Sequence, residues 1–125
     1  MKKILVVEDD PINATMVFDY LTSQGFDVAL VMNGHDAVDK YTQLEPDLML
    51  LDILLPQKNG FNVCMEIRRL NEKVCPIIMM SAVHNDEQTQ AFVRNDLEVV
   101  AFISKPFKLK ELLTLVEEAL LSDAA

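Results

Sequence analysis

Five short apolar runs alternate with longer segments of helical spacing, and few folds satisfy that alternation. The runs are Ile4 to Val7, Phe26 to Val31, Leu48 to Leu51, Ile77 to Met80, and Ala101 to Ser104, with Val99 as an alternative start for the last. Runs this continuous and this short read as strands buried on both faces. Between them, Pro11 to Gln24 places Ile12, Met16, Val17, Tyr20 and Leu21 on one helical face. His35 to Leu44, Phe61 to Leu70 and a more polar Asp86 to Asn95 supply the next three helices. Leu109, Leu112, Leu113, Val116 and Leu120 mark a fifth, expected to end near Leu121 ahead of a frayed tail. Pro11 suits the first turn of the first helix and Gly25 its end. Asn33-Gly34 is a turn pair, and Pro46 stops the second helix.

Strand–helix alternation with short connections requires right-handed crossovers and a parallel sheet covered on both faces. The expectation is an α/β fold of flavodoxin-like (βα)5 type: a three-layer sandwich with strand order 2-1-3-4-5. Residues 1–125 hold one domain, with its core at about 3–121. No apolar run is long enough to cross a bilayer, and the apolar run after Met1-Lys2-Lys3 stops at Glu8, too early for a signal peptide. A cytoplasmic protein without membrane contact is therefore expected. Cys64 and Cys75 show no metal spacing and read as small buried hydrophobes. With 11 basic against 20 acidic residues the net charge is −9, which disfavours nucleic acid and favours protein partners or cations.

In such sheets ligands bind beyond the carboxyl ends of the strands, near the point where strand order reverses. The first strand ends in Glu8-Asp9-Asp10, the third in Asp52, the fourth in Ser81 and the fifth in Ser104-Lys105. In the expected order these strands are neighbours, so their ends share one pocket. Carboxylates crowded there repel one another, and a hard divalent cation removes the conflict. Mg²⁺ takes oxygen ligands and keeps waters that a phosphoryl group can displace. Lys105 adds a positive charge and Ser81 a hydroxyl donor, which completes a clamp for phosphoryl oxygens. Asp52 is a plausible nucleophile. Each residue also has a plainer role: Asp10, before Pro11, reads as a helix N-cap, Ser81 could cap a turn, and Lys105 alone would be a surface lysine.

Four blocks of sequence resemble the receiver domain of bacterial two-component response regulators. They are Ile4-Leu5-Val6-Val7-Glu8-Asp9-Asp10-Pro11; Pro46 to Asp52, continuing through Pro56 and Gly60; Pro76 to Ala82; and Phe102-Ile103-Ser104-Lys105-Pro106-Phe107. The resemblance runs from Lys3 to about Leu121. It implies that Asp52 is the phosphoacceptor, and that Asp9 ligates Mg²⁺ directly and Glu8 through water. The backbone carbonyl of Leu54 would be a further ligand. It implies that Ser81 turns inward to the phosphoryl group, that Lys105 pairs with it, and that Phe102 is an aromatic switch. The Lys105–Pro106 bond is expected to be cis.

The implied function is that of a single-domain response regulator. It would accept a phosphoryl group from a histidine kinase or histidine phosphotransfer protein, as in a phosphorelay, and then change its contacts with a downstream protein. It would not be an enzyme in its own right, and a monomer or weak dimer is expected. A receiver excised from a hybrid kinase would look alike. So would a receiver-like contact domain that is never phosphorylated, although such variants typically lack one of the five polar residues kept here. A flavodoxin-like cofactor binder is disfavoured by the acidic Glu8-Asp9-Asp10 loop, and a phosphoester hydrolase by Leu54 in place of an acid. Two departures from the family pattern matter. Glu98-Val99-Val100-Ala101 is unusually apolar, which suggests a lengthened, better-buried fifth strand or an altered partner surface. Leu54 and Val83 place apolar side chains where relatives set the hydrolysis rate, which suggests a long-lived phosphorylated form.

Overall fold

The computed structural model describes residues 1–82 and 86–124. Strands and helices alternate: β1 (Lys3–Val7), α1 (Pro11–Ser23), β2 (Asp27–Val31), α2 (Gly34–Leu44), β3 (Leu48–Asp52), α3 (Gly60–Leu70), β4 (Ile77–Ser81), α4 (Glu87–Asn95), β5 (Ala101–Ser104) and α5 (Leu109–Ala124). The strands form one parallel sheet, as the alternation requires, and their order is the expected β2-β1-β3-β4-β5.

Every residue of β3 and β4 is buried, and alternate side chains feed two separate cores. Leu5, Val7, Met49, Leu51, Ile77 and Met79 face Ala37, Val38 and Tyr41 of α2, Val63, Cys64 and Ile67 of α3, and Val93 of α4. Ile4, Val6, Leu48, Leu50, Ile78 and Met80 face Val17 and Leu21 of α1 and Leu112, Val116 and Ala119 of α5. This period-two division makes the three layers, and it explains why β3 and β4 carry no polar residue before their last position. Asp10, Asn33, Asn59 and Asp86 each cap a helix by accepting a backbone N–H three residues on, at 2.8–3.1 Å.

Some boundaries differ from those read in the sequence. Phe26 lies outside β2 because its N–H donates to the Leu21 carbonyl, closing α1 through Gly25 at φ 95°. The fifth helix continues through Ala124 instead of fraying at Ser122, since Ser122-Asp123-Ala124 contains no helix breaker. The fifth strand is not lengthened. Glu98 takes a left-handed φ of 57°, and the Val99 N–H turns back to the Val93 carbonyl. Val99 is buried but Val100 is 54 % exposed. Arg68 of α3 holds this turn, donating from Nε to the Leu97 carbonyl at 2.7 Å and from Nη2 to that of Glu98 at 3.0 Å. Cys64 is fully buried, and burial pushes its thiol pKa up. Cys75 is only half-buried, and its N–H donates to the Tyr41 hydroxyl at 3.0 Å.

Candidate functional site

The carboxyl ends of β1, β3, β4 and β5 lie side by side, and the ladder registers fix what stands there. Asp52 pairs with Met80, and Ser81 with Ser104. Glu8 follows β1 directly and its N–H donates to the Val31 carbonyl at 3.0 Å. The Lys105 N–H donates to the Ser81 carbonyl at 2.7 Å, so the chain leaves β5 tied to the end of β4. The next peptide bond, Lys105–Pro106, is cis.

Three of the polar residues gathered here are withdrawn from water: Glu8 is 1 % exposed, Asp52 4 % and Ser81 0 %. Asp9 stands at the exposed rim. Carboxylate oxygens of Glu8, Asp9 and Asp52 lie within 4.8 Å of one another. Lys105 Nζ spans two of these groups, donating to Glu8 Oε1 at 2.5 Å and to Asp52 Oδ2 at 2.8 Å. The second oxygen of Glu8 accepts the Asp10 N–H at 3.3 Å.

The electrostatics follow from this crowding. Burial pushes the Glu8 carboxyl up to about 7, and its contact with Asp52 acts in the same direction, while Lys105 pulls it down. For Lys105 burial acts to lower the pKa, but hydrogen bonds to Asp52 and Glu8 outweigh it and hold the ammonium above its ordinary value. The pocket thus gathers three carboxyl groups around one lysine. Three oxygen donors this close could hold a hard divalent cation.

Glu8, Asp9, Asp52, Ser81 and Lys105 are therefore brought together as the sequence suggested. Phe102 lies farther down β5, opposite Met79, half-buried against the α2–α3–α4 core. The Leu54 side chain is 52 % exposed in the loop after β3. Val83 lies outside the described residues.

The sequence reading took Gly60 only as a matter of spacing. A Cβ there would stand 2.3 Å from the Asp52 carbonyl oxygen and 2.9 Å from Ile53 Cα, and the Gly60 N–H donates to the Ile53 carbonyl at 2.7 Å. The start of α3 thus leans on the backbone of the site aspartate. With only three glycines in the chain, each invited the question of what approaches it. Gly60→Ala is expected to cost about 2–3 kcal/mol, read as a lower urea midpoint at unchanged m-value; an unchanged midpoint would show that the loop absorbs the methyl group.

The family model of the response regulator receiver domain matches residues 4–117. Among solved structures, the chain is similar to the BeF3-activated N-terminal receiver domain of Klebsiella pneumoniae RstA, at 30% identity. That match has a TM-score of 0.83 and covers 94% of this chain and 97% of that one. A two-component response regulator from Clostridium difficile matches at 26% identity over 100% of both chains, with a TM-score of 0.89. A CheY-like receiver domain protein from Methanospirillum hungatei shares the fold at 24% identity and a TM-score of 0.89, covering 98% of this chain and 95% of that one. Fold, acidic cluster and matched span agree, and the chain belongs to the response regulator receiver domain family.

Proposed function

We propose that this receiver accepts a phosphoryl group on Asp52 from a phosphohistidine of a histidine kinase or histidine phosphotransfer protein in the cytoplasm. The observation that carries the reading is the Lys105 ammonium bridging buried Glu8 and Asp52, with Asp9 beside them. An Asp52 carboxylate oxygen attacks phosphorus, the P–N bond breaks, and the imidazole leaves with its electron pair. Lys105 pairs with the transferred group's oxygens and Ser81 donates its hydroxyl to them. Asp9, Asp52 and the Leu54 carbonyl would hold Mg²⁺ directly and Glu8 through water; when bound, the ion offsets the charge that accumulates in transfer. Ser81 and Phe102, at the end and middle of neighbouring strands, would then bias a two-state element whose surface a downstream protein reads.

Intact-protein mass after incubation with Mg²⁺ and a small acyl phosphate tests this reading. One added phosphoryl group is expected, and none in a chelated control. No added mass on folded protein, with either an acyl phosphate or a phosphohistidine donor, would leave a domain that works by contact alone.

A further inference from the structure

Gly34 is the first residue of α2, on the other side of the loop that follows the site aspartate. A Cβ at Gly34 would stand 1.9 Å from the Lys58 carbonyl oxygen, 2.7 Å from its carbon and 2.8 Å from the Lys58 Cβ. The Gly34 N–H donates to the Pro56 carbonyl at 3.3 Å, and the Lys58 N–H reaches the same carbonyl at 2.8 Å around Gln57, whose φ is 70°. From the opposite side, the Lys58 ammonium pairs with the Glu66 carboxylate of α3. The loop closes on itself where the Gly60 N–H meets the Ile53 carbonyl. Residues 54–59 are thus held at both ends and pressed into the first turn of α2.

We propose that Gly34 and Lys58 are positioning residues for the metal site: α2 and α3 clamp the β3–α3 loop between them, and the clamp sets where the Leu54 carbonyl stands. This rests on the reading of that carbonyl as a Mg²⁺ ligand. A side chain at Gly34 meets backbone, which cannot swing aside as a flexible side-chain tip would, so the loop must move by more than an ångström. A loop closed at both ends passes that movement to Leu54. Mg²⁺ demands near-ideal geometry, and a displaced ligand costs it affinity.

The test is a Mg²⁺ titration followed by amide NMR on the whole chain, with thermal stability measured separately in chelator. Gly34→Ala is expected to bind Mg²⁺ about tenfold more weakly. Gly25→Ala serves as the comparison: its φ of 95° strains any side chain, but nothing lies within 4 Å of the added Cβ and the site is at the other end of the sheet. It should lose stability and keep wild-type affinity. A Gly34→Ala protein that loses stability but binds Mg²⁺ as the wild type does would overturn the proposal. If Gly34→Ala does not fold, Lys58→Ala decides: a several-fold loss of affinity, restored in Lys58→Arg, supports the clamp, and an unchanged affinity removes it. A wild-type protein that shows no Mg²⁺-dependent shifts would bring down the metal reading itself, and the clamp with it.

Discussion

Asp52→Asn is expected to take up no phosphoryl group from either an acyl phosphate or a phosphohistidine donor, a fall on the order of 10³-fold or more in labelling rate. The amide keeps the shape of the side chain and its place opposite Met80, but it loses the anionic oxygen that attacks phosphorus. It also removes one carboxylate from the oxygen cluster, so Mg²⁺ affinity should fall with it. Folding should respond in the opposite direction. Contact with Asp52 helps raise the Glu8 pKa, so without that charge Glu8 ionises more readily and the chelated variant should be at least as stable as the wild type at pH 8. Dead chemistry in an undamaged fold separates a nucleophile from a structural residue. Retained labelling would move the acceptor elsewhere, with Asp9 at the rim the first candidate.

The central strands were legible in the sequence because burial on both faces leaves no room for polar residues: Ile4 to Val7, Leu48 to Leu51 and Ile77 to Met80 announce themselves. The polar residues that end those runs were legible for the same reason, since a carboxylate after a fully apolar strand has been placed at the sheet's edge. Their convergence needed the strand order, which the crossover rule narrows but does not determine alone. Other features were hidden because they depend on what approaches from far along the chain. Glu98 takes its left-handed turn while Arg68, thirty residues earlier, holds the carbonyls around it. The apolar Val99 and Val100 therefore looked like strand when one is a buried turn residue and the other a surface residue. Gly34 looked like an ordinary turn glycine, and only the approach of the Lys58 backbone shows what its missing side chain makes room for.

Lys105→Met is expected to destabilise the chelated protein by about 3 kcal/mol at pH 8, and by markedly less at pH 5. The lysine is the cation that bridges Glu8 and Asp52, and a methionine of similar length fills the space without charge. Glu8 carries a folded-state pKa of about 7 against an ordinary 4.5, so between those values the native protein holds more protons than the unfolded one. Stability of the chelated wild type must then fall as pH rises through that window, by about 3 kcal/mol in all if Glu8 acts alone. The raised pKa of Lys105 has the same sign in a different window: it contributes stability that is fully present below its ordinary 10.5 and is lost only at more alkaline pH. Removing the lysine takes that contribution away and drives Glu8 higher still, so the variant's stability should fall more steeply with pH than the wild type's. Urea unfolding at pH 5, 6, 7 and 8 reads both slopes, and Mg²⁺ should restore part of the loss at pH 8 by supplying another cation to the same oxygens. Parallel pH profiles for the two proteins would mean that Lys105 does not balance the buried acids, and that its place at the end of β5 serves the phosphoryl group alone.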